Sequence, residues 1–336
     1  MTRRYVMGID TGATKSHLML FDTDGIYIDF EQWGPLNHEV LPGSFAQFEE
    51  ELNLFVTKVT RRQGITIKDI SYAVFGIAGV DTKKQHTIIA SILTKLGFER
   101  FRLVNDAFLG IPAGSRTGTG ICAINGTGCT LAGINREGKM LQIGGMGSIS
   151  SDMGGGSCMS TAAISAVYSE LFRKGEISIM TPKFFEYLGI QDKHDYMERL
   201  YERRENGTFN STDISKILFE AASKNDKVAY GIISTVAMNY SGGIACMIEE
   251  MQYKKDEEID IVFAGSVFVK EKNPVLINMI KDKIKKNHGG YSFRFTLLNI
   301  PPVAGAIIWA LDSLEDSCGI TGSFYDKVSG QIKPAH

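Results

Sequence analysis

The feature that most constrains this chain is a pattern that occurs twice. Residues 4–9 are mostly apolar and run into Asp10-Thr11-Gly12-Ala13-Thr14-Lys15, followed by an apolar run at 18–21, a turn at Asp24-Gly25 and a second run at 26–28. About 116 residues later, 120–124 runs into Asn125-Gly126-Thr127-Gly128-Cys129-Thr130, followed by 131–134, a turn at 135–138 and 140–143. Each copy reads as strand, Gly/Thr turn, strand, glycine turn, strand. The repeat predicts two halves, each opening with a β-meander whose first turn is rich in glycine and threonine. Glycine is the one compositional outlier, 36 of 336 residues against a usual share of about 7%.

Between the copies, apolar spacing predicts helices at 44–63 and 82–96 and short strands at 72–78 and 101–104. That is a β-α-β unit and hence a parallel sheet. Beyond a glycine-dense loop at 144–157, helix dominates 158–253, with breaks near 175–180 and 204–212 and one long helix at 226–251. A strand at 259–263 ends in Ala264-Gly265-Ser266. A helix at 273–286, a strand at 291–298, a stop at Pro301-Pro302 and a helix at 303–314 complete the chain. The fold class is α/β.

Lys plus Arg number 36 and Asp plus Glu 38, a net charge of −2, which argues against a nucleic-acid partner. Cysteines 122, 129, 158, 246 and 318 form no Cys-x-x-Cys pair, so neither a disulfide framework nor a structural zinc site is expected. His17, His86, His194 and His288 lack metal-ligand spacing. The N-terminus is not a signal peptide, and no stretch approaches the roughly 18 apolar residues of a membrane span, so a cytoplasmic protein without a membrane partner is expected.

The two Gly/Thr turns carry the chemistry. A tight turn of this composition exposes several backbone N–H groups on one side, a nest suited to phosphate, with threonine and lysine as further donors. Asp10, at the strand end, is suited to Mg²⁺ held through water, because Mg²⁺ prefers oxygen ligands and keeps much of its hydration. Neither a P-loop nor a Rossmann fingerprint fits, since a strand rather than a helix follows. Two such hairpins facing each other would grip a nucleotide, and the small residues Gly265 and Ser266 would let an adenine lie against the backbone.

In that order, GIDTGATKSHLMLFD, INGTGCTLAGI and VFAGSVF resemble the two phosphate motifs and the adenosine motif of the actin-like ATPase superfamily. Within it the chain resembles the BadF/BadG ATPase family, and most closely its N-acetylglucosamine kinase branch. The likeness extends to Asn37-His38, Gly76-Ile77-Ala78-Gly79, Asn105-Asp106-Ala107 and the 144–157 loop. It implies a two-lobed, ribonuclease H-like fold with a ligand cleft between an N-terminal lobe, 1–118, and a C-terminal lobe, 119–336, the terminal helix packing back on the first lobe. It also implies ATP and Mg²⁺ as cofactors and a small-molecule sugar as substrate.

For the acceptor hydroxyl, Asp106 is the expected base, at the C-terminal end of a parallel strand, where open sheets place ligands. The residues alone leave a helix N-cap role for Asn105 or Asp106 equally open; the resemblance selects catalysis by Asp106. It further implies that Asn37 and His38 reach the sugar, although a loop Asn also satisfies its own backbone. The related kinases often have serine where Ala78 stands, so the Gly79 N–H would serve instead. Thr127 is placed for phosphate or for the sugar's acyl group. In the loop of Gly145, Met146 and Gly147, Met146 stands where the related animal enzyme has tryptophan, and Asp152 would bond a ring hydroxyl. Methionine there leaves room for a larger 2- or 3-substituent, making N-acetylmuramate a further expected substrate. Glucosamine kinase is the alternative enzyme. An ATPase activator of radical dehydratases and a nucleotide-binding sensor are the alternatives of another class. Aromatics of the C-terminal half are candidates for a homodimer face.

Overall fold

The computed structural model describes residues 4–126, 128–270, 274–315 and 322–332. The first half opens with the expected meander, β1 (Tyr5–Thr11), β2 (Ser16–Asp22) and β3 (Tyr27–Trp33). Helix α1 (Ser44–Arg62) leads to β4 (Ile70–Ile77), α2 (Lys83–Lys95) to β5 (Phe101–Val104), and a 3-10 turn at 106–109 to the short α3 (Gly110–Gly114). The strand order is β3-β2-β1-β4-β5, with β4 parallel to both β1 and β5.

The second half repeats this plan. Its meander is β6 (Gly120–Asn125), β7 (Cys129–Ile134) and β8 (Met140–Gly144). A helical insert follows: α4 (Gly156–Arg173), α5 (Met180–Leu188), α6 (Tyr196–Glu205), α7 (Ser211–Ser223) and α8 (Lys227–Glu250). Then come β9 (Glu258–Ala264), α9 (Ser266–Lys270), α10 (Pro274–Asn287), β10 (Ser292–Leu297), α11 (Pro302–Asp312) and α12 (Tyr325–Ser329). The order β10-β9-β6-β7-β8 is the first sheet's order with each strand replaced by its counterpart. The repeat is therefore one of topology as well as of turn composition.

Two features of the insert differ from the sequence reading. A third break falls at 189–195, where Gly189 at φ +68° ends α5 in the left-handed conformation. Helix α8 is long and apolar enough to cross a membrane by length and composition, contrary to the expectation that no stretch is. In the fold it packs against α4, α7 and α10 and buries Ile233, Val236, Tyr240, Ile244 and Met247.

Strand alternation divides the first sheet between two cores. Met7, Ile9, Leu18, Leu20 and Phe75 face α1 and α2, meeting Phe48, Leu52, Phe55, Ile89 and Leu93. Val6, Met19, Phe21 and Val74 face the other way, into a middle layer made of α3 and α11. These two helices are exchanged between the halves. Helix α11 follows the last strand of the second sheet but packs on β1, β2 and β4. Helix α3 follows the last strand of the first sheet but packs on β6, β7 and β9.

Glycines make the layer thin. A Cβ on Gly8 would meet Ala306 Cβ at 2.9 Å, one on Gly114 would meet Val262 Cγ1 at 2.4 Å, and one on Gly305 would meet the Leu109 carbonyl at 2.1 Å. By contrast, Gly242 of α8 has nothing within 4 Å of where its Cβ would stand. The two helical glycines should therefore respond oppositely to alanine. Gly305→Ala is expected to cost about 1–3 kcal/mol through overpacking. Gly242→Ala should be neutral or gain up to about 1 kcal/mol from helix propensity. Chemical denaturation of the two variants checks both signs.

Candidate active site

The first hairpin is paired out to Thr11 and Ser16, with Asp10 opposite His17, so residues 12–15 form its tip. Gly12 is tight there, since a Cβ would stand 3.1 Å from the Lys15 carbonyl. Ala13, Thr14 and Lys15 are exposed at the tip. Beneath them the hydroxyls of Thr11 and Ser16 are buried without a hydrogen-bond partner. Unsatisfied polar groups of this kind are costly and mark functional ground. His17 Nδ1 lies 4.0 Å from Asp10 Oδ2. Burial and the Lys15 charge push its imidazole down to about 4, so His17 is neutral at pH 7 and offers Asp10 no positive partner.

The second hairpin and the adenosine motif meet. Gly265, at φ +92°, turns the chain from β9 into α9, and a Cβ there would stand 2.4 Å from the Asn125 carbonyl. Only glycine lets Ser266 start its helix directly against the end of β6. Gly126 N–H donates to the Gly128 carbonyl at 2.9 Å and Gly156 N–H to the Gly126 carbonyl at 2.8 Å. Neither Gly126 nor Gly128 has a neighbour where a Cβ would stand, so packing does not demand glycine and the space above them is open. Thr127 lies outside the described residues. Asn125 Oδ1 accepts from Gly155 N–H at 2.8 Å, and its buried Nδ2 has no partner.

On the acceptor side, three loops converge at the C-terminal ends of β1, β4 and β5. The Ala78 N–H donates to the Thr11 carbonyl at 3.2 Å. Gly79, at φ +84°, lies under Asn37, His38 and Glu39, and a Cβ would stand 2.9 Å from both Asn37 Oδ1 and His38 Cε1. Asn37 Oδ1 accepts from the Glu39 N–H at 2.8 Å, so this oxygen serves its own loop. His38 stacks on Phe45 with ring centroids 4.2 Å apart; burial lowers its pKa, and its Nδ1 is buried without a partner. At the end of β5 the cap is Asn105, whose Oδ1 accepts from Ala107 N–H at 3.0 Å. The capping role thus belongs chiefly to Asn105, although the Ala107 and Asp106 N–H groups also act on the Asp106 carboxylate and lower its pKa in part.

Asp10 and Asp106 form an electrostatic pair. Burial raises both, and each feels a further carboxylate: Asp10 feels Asp106, and Asp106 feels Asp81. Lys15 offsets the effect on Asp10 only in part. Two carboxyls that resist ionising together, below two orphaned hydroxyls, suit a cation held by oxygen ligands and phosphate. Among the described residues no three His, Cys, Asp or Glu side chains converge as a metal cage. Mg²⁺ held by Asp10 mainly through water and nucleotide phosphate fits this set, and a fully protein-ligated ion does not.

The glycine loop is organised by Asp152. Its Oδ2 accepts from Gly145 N–H at 3.0 Å, Gly147 N–H at 2.8 Å and Ser150 Oγ at 2.8 Å. The carboxylate expected to bond a ring hydroxyl is thus half spent on its own loop, with Oδ1 left over. Met146 is 53% exposed, and beside it opens a cavity of about 270 Å³ lined by Glu39, Asp81, Thr82, Gln85, Gly145 and Met146. Glu39, Asp81 and Gln85 escaped the sequence reading. Asp81 stands two residues beyond Gly79, but its partners lie far along the chain. Gln85 left a local signal in the Thr82–Gln85 capping box that opens α2, one that marks a helix start rather than a site.

A profile of the BadF/BadG/BcrA/BcrD ATPase family matches residues 7–310. The chain is 26% identical over 304 residues to an N-acetylmuramic acid/N-acetylglucosamine kinase of Clostridium acetobutylicum, covering 89% of this chain and 92% of that protein. It is 24% identical over 323 residues to an N-acetyl-D-glucosamine kinase of Dictyostelium discoideum, covering 93% and 99%. In fold it matches a ROK family glucokinase from Streptomyces griseus, solved with glucose and AMPPNP, at a TM-score of 0.56 and 16% identity, covering 92% of this chain and 98% of that one.

A carboxyl whose pKa is raised by folding holds its proton more tightly in the folded state. Stability therefore falls as pH rises from the ordinary carboxylate range, near 4, through neutrality. In the metal-free, nucleotide-free protein at pH 7.5, Asp10→Asn or Asp106→Asn should each raise Tm by roughly 2 °C or more, the shift about 1 kcal/mol produces in a chain of this size. The double variant should gain less than the sum, because either change relieves the same repulsion. Scanning calorimetry at pH 5 and 7.5 checks it: the gain should shrink at pH 5.

Proposed function

Because the chain belongs to the BadF/BadG/BcrA/BcrD ATPase family, we propose that it is an amino-sugar kinase that transfers the γ-phosphoryl group of ATP to the 6-hydroxyl of N-acetylglucosamine. Its curated relatives in Clostridium acetobutylicum and Dictyostelium discoideum bear kinase names with that sugar. The observation that carries the reading is Asp106, buried just past the end of β5 beside the cap residue Asn105 and within the field of Asp10 and Asp81. A nucleotide sensor or an activator ATPase has no need of an acceptor-side carboxylate.

In this reading, residues 1–118 and 119–336 are the two lobes of the cleft, with α11 packed back on the first. The tip of Thr11, Gly12, Ala13, Thr14 and Lys15 and the turn of Gly126, Thr127 and Gly128 hold the phosphates, and Gly265 with Ser266 backs the adenine. Asp10 would hold Mg²⁺, which would supply charge neutralisation for the transferring group. Asp106 accepts the proton of the sugar hydroxyl and aims its oxygen at the γ-phosphorus. Phosphoryl transfer asks for little more than this positioning and charge relief. Asn37, His38, Gly79, Gly145 and Asp152 surround the sugar.

The cavity beside Met146 decides the substituent. It holds Glu39 and Asp81 and no cationic side chain. That lining favours a sugar bearing an ammonium group, which makes glucosamine the second reading. N-acetylmuramate fits by size, since Met146 leaves the space open, and would have to turn its carboxylate toward solvent.

A coupled ADP-release assay with Mg·ATP and N-acetylglucosamine, N-acetylmuramate, glucosamine, N-acetylmannosamine and glucose tests the proposal. Release that requires an amino sugar and falls at least about 100-fold in Asp106→Ala is the expected outcome. Slow hydrolysis indifferent to sugar and to Asp106 would overturn it. Met146→Trp should lower kcat/KM for N-acetylmuramate about tenfold or more and leave that for N-acetylglucosamine within threefold, because it fills the space beside the larger substituent.

A further inference from the structure

We propose that Asp81 is a positioning residue that ties the turn carrying Asp106 to β8 of the second sheet, so that the acceptor carboxylate is aimed from both sides of the cleft at once. The proposal rests on the kinase reading above. One oxygen does the tying: Asp81 Oδ1 accepts from Asn105 Nδ2 at 3.0 Å and from Gln142 Nε2 at 2.6 Å. Asn105 belongs to the first half, directly before Asp106. Gln142 lies on β8, in the second.

The link is rigid at each joint. Asn105 is only 7% exposed, and its other amide atom caps the 106–109 turn through Ala107 N–H. With Oδ1 on the cap and Nδ2 on Asp81, the side chain has both ends fixed, and with it the start of the turn. Asp81 is anchored in turn, since its backbone N–H donates to Gln85 Oε1 at 3.2 Å within the box that opens α2. On the far side, Gln142 reaches among the described residues, besides Asp81, only the Gly144 carbonyl, at 3.5 Å. Gly145, at φ +97°, keeps the space clear. A Cβ there would stand 3.1 Å from Gln142 Nε2 and 3.6 Å from Asp81 Oδ1, so a side chain would crowd the bond between them.

Two short bonds to one ionised oxygen are stronger and more directional than neutral ones. Asp81 also lines the cavity beside Met146, so the tie passes along the wall of the proposed sugar site. A shift of β8 relative to the first sheet is thereby passed through Asp81 and Asn105 to the turn that holds Asp106, and misplacement of this kind costs rate rather than nucleotide affinity.

Two substitutions separate geometry from charge. Asp81→Asn keeps an oxygen that accepts both amides; Asp81→Ala removes it. With the full chain and N-acetylglucosamine, Asp81→Ala is expected to lower kcat 10- to 100-fold with the KM for ATP within twofold. Asp81→Asn should recover to within threefold of wild type. Gln142→Ala should resemble Asp81→Ala, and the double variant should be no worse than the poorer single one, because both break one link. If Asp81→Ala does not fold, Asp81→Asn and Gln142→Ala carry the test. Wild-type turnover in Asp81→Ala or Gln142→Ala, an Asp81→Asn variant as slow as Asp81→Ala, or additive losses would each overturn the role. No sugar-dependent release from the wild type would remove the kinase reading and this role with it, whereas normal wild-type turnover beside unaffected variants removes this role alone.

Discussion

The contact between α3 and α11 holds the molecule together. Gly305 rests on the backbone of residues 109–113, and around that point the side chains of both sheets close a single middle core. Each sheet is covered on this face by a helix that belongs, in sequence, to the other half. The strand ends that carry Asp10, Asp106, Asn125 and Gly265 are therefore fixed relative to one another by a layer with no spare thickness. A cleft walled by two independent sheets would need a separate device to fix its walls relative to one another, and here the core itself supplies it.

The candidate site concentrates the opposite kind of energetics. Buried hydroxyls of Thr11 and Ser16, Nδ2 of Asn125 and Nδ1 of His38 lack partners, and burial raises the pKa of Asp10, which also feels Asp106, and of Asp106, which also feels Asp81. A chain of this length, with several large apolar clusters, carries such losses easily. Among the described residues, every unsatisfied buried group but the Ser215 hydroxyl of α7 lies in a hairpin or loop of the candidate site, as expected if a ligand completes them.

What could be read from the sequence was what depends on neighbours in the chain. The two meanders were legible because Gly-rich turns at 12 and 126 and the Asp-Gly turn at 24–25 write their own geometry, and β4-α2-β5 because apolar periodicity changes sharply at its boundaries. The third break in the helical insert was missed although Gly189 marks it, since one glycine among amphipathic turns is a weak signal. Helix α8 was read correctly as a single long helix, but its apolarity takes its meaning from α4, α7 and α10, which pack around it. At the site, Asp10 and Asp106 announced themselves by standing at strand ends. Asp81 did not, because its two partners lie 24 and 61 residues away. Asp152 was expected to bond a ring hydroxyl, and its Oδ2 accepts instead from Gly145, Gly147 and Ser150 of its own loop. That its Oδ2 faces inward follows from the positive φ values of Gly144, Gly145 and Gly147, a conformation no spacing rule reveals.

The exchange of α3 and α11 also sets an order of events during synthesis on the ribosome. The first sheet is complete once residue 104 has emerged, and α1 and α2 can cover one of its faces at once. The face bearing Val6, Met19, Phe21 and Val74 has no cover until α11 follows, some 200 residues later, roughly 10–40 s at ordinary elongation rates. For that interval the nascent chain displays an apolar sheet surface that its own sequence cannot yet hide. A chaperone that shelters such surfaces co-translationally would have its natural client in this half-made molecule rather than in the finished one.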